Sequence, residues 1–300
     1  MTAAFERFIA AARLRPAIWR LLLGIVLIVL VYVAWLAAMA GVMALLGGRE
    51  GLGRGMVAMG QGRSAGSMLL LLLSFGGLAL GSVVAARVMH RRGPGSLIGP
   101  ARQAGRDFLV AVAVVAVVYA LVLLPWAWRF DAVPNLPLSR WAMLLPLALA
   151  GVALQTLAEE ITFRGYLMQQ LAARFRSPLV WMLLPALAFG ALHWNPAETG
   201  GNTAIVIGAI GLFALAAADL TRRSGSLGAA WGMHFANNCI ALLILATGDT
   251  LPGLALWRTP YAATDPVMAW AVAGDFVSIA LTWAVLARWL ARRDRILSRP

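Results

Sequence analysis

Lysine is missing from this chain: all 25 basic residues are arginine, and only 12 residues are acidic. Charged residues make up 12% of the 300, against about 25% in ordinary soluble domains, which excludes a fully water-facing globular surface. One cysteine, Cys239, rules out an intramolecular disulfide framework and any multi-cysteine zinc site. Internal repeats and low-complexity tracts are also lacking. Loops such as 48–67 and 247–266 are short and contain Gly and Pro, so residues 1–300 read as a single membrane-embedded domain. The net charge of +13 needs no nucleic acid, because the arginines follow the ends of apolar runs rather than forming a patch.

What the chain does have is hydrophobic length. Hydrophobic residues reach 61% and mean hydropathy +0.81, which marks an all-α, polytopic membrane bundle. A helix needs about 20 apolar residues to cross a hydrocarbon core of about 30 Å. Eight such segments can be placed, at 18–46, 68–89, 108–128, 141–174, 178–199, 203–221, 226–247 and 267–290. The first is longer than the apolar core of a cleavable signal and reads as a retained anchor. The fifth carries Pro185, His193, Asn195 and Pro196, breakers that are tolerated where a helix lines a polar cavity. With both termini cytoplasmic, eighteen arginines fall on internal segments and six (Arg49, Arg54, Arg63, Arg129, Arg140 and Arg258) on external ones, in accord with the positive-inside rule. The Arg-only, Ala-rich composition resembles a GC-rich bacterial genome, which places the expected site in the bacterial inner (plasma) membrane.

The remaining arginine, Arg164, lies inside an apolar run with Glu159 and Glu160. Each ionised group at mid-bilayer costs roughly 2.5–3.5 kcal/mol, so three together need pairing or hydration, and intramembrane charges default to a functional reading. Glu160 and Arg164 are i,i+4 neighbours that can pair, whereas Glu159 points about 100° away and is left free. Of three histidines, His90 sits beside Arg91 and Arg92 and reads as interfacial. His193 and His234 fall in or at the edge of apolar spans. Counted from a hairpin turn near Arg176, Glu159 and His193 have equal offsets and should share a depth, within about 3–6 Å of one another through a common water. His234 and Asn238 share one helix face at i,i+4. Asp275 is a further intramembrane carboxylate without a partner motif, and Cys239 reads as a small packing residue.

The ordered set Glu-Glu-x-x-x-Arg at 159–164, Phe-x-x-x-His at 189–193 and His-x-x-x-Asn at 234–238 resembles the motifs of the CAAX protease and bacteriocin-processing (CPBP, or Abi) family of intramembrane proteases. The stretch Ser224 to His234 is similar to that family's approach to its last motif. The resemblance covers about 141–245 and implies a CAAX-protease-like helical core that hydrolyses peptide bonds. It assigns Glu159 as general base sharing a water with His193, His234 and Asn238 to the oxyanion, and Glu160 with Arg164 to holding the motif helix in register. The favoured reading requires no cofactor. Zinc held by Glu159, His193 and His234 is the alternative, since two histidines and a glutamate suit a catalytic zinc with one open position. The expected partners are the lipid bilayer and a membrane-embedded or membrane-anchored peptide or protein. A competing reading from another class is a non-enzymatic scaffold, an immunity factor or an ion- or proton-coupled transporter.

Overall fold

In lipid a backbone N–H or C=O must be satisfied within its own segment, and the long apolar runs accordingly fold as helices. The computed structural model describes residues 1–127, 132–248 and 250–297, without the side chains of 123–127, 294, 296 and 297. Arginines 129 and 299 and the last residue of the expected span 108–128 lie outside the described residues.

Among the described residues six helices are long and apolar enough to cross a bilayer: Ile18–Gln61, Ala65–His90, Ala101–Val122, Leu138–Arg174, Pro196–Ser224 and Met268–Arg293. The segments expected at 178–199 and 226–247 are helical too, but shorter. The first is Leu179–Ala191; the second is Gly228–Cys239, continued by a π-wound turn at Ile240–Ile244. The segment expected to be a loop at 48–67 is instead helical as far as Gln61, with a kink at Gly48, whose φ of 63° and ψ of −164° leave helical space. Its Arg49 and Glu50 are exposed, and their polarity masks the helix in a reading based on hydropathy.

Local chemistry sets the helix ends. Ser64 and Ser67 cap each other reciprocally at the start of Ala65–His90, each hydroxyl accepting the other's backbone N–H. Gly225 ends Pro196–Ser224 at φ 70°, and a Cβ there would meet the Ala4 carbonyl at 2.5 Å. Glycine thus serves both the left-handed turn and the docking of the N-terminal helix Ala3–Arg13.

Cross-links sort the loops onto two ends. At one end Gly253 N–H donates to Gly62 O at 2.9 Å, Asn135 donates to the carbonyls of Pro252 and Ala255 at 2.7 and 2.8 Å, and Asn202 donates to Ala263 and Asp265. A small sheet closes this end: β1 (Val133–Pro134), β2 (Leu245–Ala246) and β3 (Trp257–Arg258), with β3 in the middle, antiparallel to β1 and parallel to β2. At the other end the Thr2 hydroxyl donates to Arg222 O, Leu227 N–H to Ile98 O and Gln103 to Ser224 O. This alternation of ends agrees with the order of the expected spans. His90 is buried rather than interfacial, with Nδ1 3.1 Å from Arg15 O and Nε2 2.9 Å from the Tyr166 hydroxyl.

Helix Gly228–Cys239 owes its position to small residues. A Cβ on Gly228 would meet Ala104 O at 2.2 Å, and one on Gly232 would meet Phe108 O at 2.4 Å. The glycine pair at i,i+4 therefore lets this helix lie directly on Ala101–Ala127, as small residues do at intramembrane helix interfaces. The opposite side of the same helix faces Leu138–Arg174. On the outside of the bundle, Leu22, Leu23, Leu30 and Leu45 of the first long helix are exposed, the surface expected to meet lipid.

Candidate functional site

Glu159 and Glu160 close the α-helical part of Leu138–Arg174, and Ile161–Met168 is wound as a π-helix. Such segments are rare, carry i→i+5 bonds and recur at functional sites. Here the π turn is fixed on two sides. Thr162 Oγ1 lies 2.8 Å from Ser82 Oγ on a neighbouring helix, and Arg164 Nη2 donates to Ala214 O at 3.1 Å.

Arg164 reaches back one turn to Glu160, with Nη1 2.8 Å from Oε1. Both are buried, at 2% and 0% exposure, and the guanidinium also lies over the Phe189 and Phe213 rings, 5.0 and 5.9 Å from their centroids. An ion pair so fully withdrawn from water is tolerable only when hydrogen-bonded around its rim. The second partner of Glu160 comes from across the bundle, where His234 Nδ1 lies 2.8 Å from the same Oε1.

The other ring nitrogen of His234 faces Glu159, with Nε2 3.3 Å from Oε2. This contact lacks hydrogen-bond alignment, and Glu159 Oε2 is left buried without a hydrogen-bond partner, as is Glu160 Oε2. Adjacent helix residues point about 100° apart, yet both carboxylates reach His234 because the imidazole stands between them. Nδ1 is thus the ring nitrogen engaged by Glu160 and Nε2 the one turned to Glu159.

Asn238, one turn beyond His234, donates from Nδ2 to Gln155 Oε1 at 2.8 Å. Gln155 lies one turn before Glu159 on the same helix and is buried at 7% exposure. Its i−4 spacing from Glu159 places it on the same helix face. Below this level the Trp231 indole N–H donates to Thr156 Oγ1 at 3.2 Å, a second tie between the two helices.

His193 does not join the cluster. The helix carrying it ends at Ala191, and His193 lies in the exposed turn that follows, its Nδ1 2.8 Å from Phe189 O. No hydrogen bond or ion pair joins it to Glu159 among the described residues. Equal offsets from Arg176 assumed uniform α-helix on both sides of the hairpin, but Ile161–Met168 and Leu179–Leu183 are π-wound, so equal residue counts no longer give equal depth or direction. His193 still packs on Phe189 with ring centroids 4.7 Å apart, and Phe189 meets His234 edge-on at 6.1 Å. Phe189 is thus a ring that both histidines touch.

For the same reason the zinc alternative lacks its ligand set. Both nitrogens of His234 are turned to carboxylates and His193 stands apart, and among the described residues no three His, Cys, Asp or Glu side chains converge as a metal-binding group.

Comparison with known proteins bears on the same segment. Residues 141–240 match the family model described as type II CAAX prenyl endopeptidase Rce1-like. An uncharacterized protein of Bacillus subtilis (strain 168), YyaK, is 34% identical over 116 residues, a match covering 38% of this chain and 38% of that relative. No solved structure matches the chain. The segment that is similar to the type II CAAX prenyl endopeptidase Rce1-like family, residues 141–240, holds Glu159, Glu160, Arg164, His193, His234 and Asn238 together.

Proposed function

We propose that this protein is an intramembrane endopeptidase and that Glu159 is its general base. The observation that supports this most is the unpartnered, buried Oε2 of Glu159 beside Nε2 of His234, within the segment that matches an endopeptidase family. A water held at these atoms loses a proton to Glu159 as its oxygen attacks the scissile carbonyl. The proton then passes to the amine nitrogen as the C–N bond breaks, leaving a new carboxylate and a new amine. The gathering of Glu159, Glu160, Arg164 and His234 at one point favours local hydrolysis over an ion-relay role.

The remaining residues take roles from their surroundings. Glu160 and Arg164 lock the imidazole, since both Arg164 and His234 bind Glu160 Oε1. The bonded side-chain amides of Asn238 and Gln155 stand one turn from His234 and from Glu159, and donors placed at a developing oxyanion are usually the largest catalytic contribution. His234 is less suited to that task because its nitrogens face carboxylates. His193, with Nδ1 directed to Phe189 O, carries its free Nε2 at the rim and serves as a proton carrier there when substrate closes over it. Metal takes no part in this scheme.

The substrate is a membrane-embedded or membrane-anchored peptide or protein that reaches Glu159 from the lipid phase. We place the protein in a bacterial plasma membrane with both termini cytoplasmic, following the arginine bias. The reading is tested by incubating membranes of cells that lack the protein with the purified wild type or with Glu159→Gln. New peptide termini generated by the wild type alone support it, and identical peptide profiles refute it.

A further inference from the structure

A cavity stands clear of Glu159. It lies on the other side of the His234 helix, between Ala101–Ala127, Gly228–Ile244 and Met268–Leu297, beneath the small sheet, and has a volume of about 650 Å³. That size falls within the range of about 300–1,000 Å³ seen for small-molecule sites, which are mostly apolar with a few fixed polar groups. Ile240, Ile244, Val272 and Trp257 supply apolar walls, and Tyr119, Asn237 and Asp275 bring polar atoms together. The adjacent asparagines divide the helix between two sites: Asn238 bonds Gln155, and Asn237 bonds Tyr119.

The polar trio has a definite chemical character. The Tyr119 hydroxyl donates to Asn237 Oδ1, and Asp275 lines the same cavity. Among the described residues Asp275 forms no ion pair. Arg258, in β3, is no candidate, because Trp257 and Thr259 line the cavity while Arg258 between them faces the opposite way and is exposed. Set in apolar walls and unpaired among the described residues, this carboxylate suits a cation that enters the cavity.

We propose that this cavity is a binding site for an amphipathic amine, its ammonium group on Asp275 and its apolar body among Ile240, Ile244 and Val272. The site is separate from the hydrolytic cluster and does not depend on it. It shares one helix with that cluster, so an occupant contacts the helix that carries His234.

The test uses purified protein in detergent, with phenethylamine as probe and 2-phenylethanol as its neutral counterpart of nearly equal size. Binding to the folded state alone raises Tm in a concentration-dependent way. The amine should raise Tm by a few degrees and saturate, the alcohol should not, and Asp275→Asn and Ala271→Phe should each remove the response, the first by deleting the charge and the second by filling the cavity. Should Asp275→Asn fail to fold, the amine–alcohol comparison and Ala271→Phe still decide. Equal shifts with amine and alcohol, no shift with the amine, or an undiminished shift in either folded variant overturns the proposal.

Discussion

His234 places Nδ1 2.8 Å from Glu160 Oε1, the same oxygen that accepts Arg164 at 2.8 Å, while Nε2 turns to Glu159. One carboxylate is therefore spent on holding the imidazole, and its neighbour is left with an unpartnered oxygen. The two glutamates, adjacent in sequence, are unequal in environment, and that inequality underlies the division of labour proposed for them.

The first prediction separates the two glutamates by stability. Glu160→Gln leaves Arg164 as a buried, unpaired cation, a loss of about 3–5 kcal/mol, and should sharply lower the yield and detergent Tm of the folded protein. Glu159→Gln removes no hydrogen bond and should leave both nearly unchanged. Replacing both charges, as in Glu160→Gln with Arg164→Met, should recover part of the loss. Equal destabilisation by the two single changes would contradict the assignment.

Much of this site is legible in the sequence because it is governed by helical spacing. Glu160 and Arg164 pair at i,i+4 as expected, and His234 turns inward. Gln155 was equally readable from its place one turn before Glu159. The position of His193 was not, since two π-wound segments and a helix ending at Ala191 break the uniform rise on which residue counting depends. The extension of the first long helix past Gly48 was hidden by Arg49 and Glu50, whose polarity resembles that of a loop. The meeting of Tyr119 with Asn237 joins helices far apart in sequence, and no local pattern announces such a contact.

A second prediction concerns packing at the inner end of the bundle. A Cβ at Gly24 would fall 1.7 Å from the Tyr166 hydroxyl, which is itself held by His90. Gly24→Ala should destabilise the protein by about 1–3 kcal/mol through overpacking. Tyr166→Phe in the same chain should relieve part of that cost, because the clashing oxygen is gone. A thermal melt of the single and double variants checks this, and an additive or worse double variant counts against it.

Asn238 and Gln155 are predicted to act together. Gln155→Leu removes the acceptor of Asn238 Nδ2 and its own amide donor, and should lower kcat by about 10²-fold with little change in KM, as loss of an oxyanion donor does. The folded yield should stay close to wild type. Kinetics on any peptide cleaved by the wild type provide the readout, and a change confined to KM would assign Gln155 to substrate binding instead.

Sidedness is predicted from the arginine distribution and from the clustering of loops. The loops near 62, 135, 200 and 253 meet at one end of the bundle through the Gly253–Gly62, Asn135–Pro252 and Asn202–Ala263 bonds. Reporter fusions at 60, 135, 200 and 255 should all report the external side, and fusions near 95, 176 and 225 the cytoplasm. Two or more external fusions reporting the cytoplasm would reverse or break the topology.

The direct trial of the central claim, that Glu159 activates the hydrolytic water, is a comparison of peptide termini in membranes from cells expressing the wild type, Glu159→Gln or neither, each at matched level and with chelator present. The account predicts a set of new termini in the wild type that persists with chelator and is absent from Glu159→Gln, although that variant is folded. Termini produced equally by Glu159→Gln, or lost from the wild type when chelator is added, would contradict it.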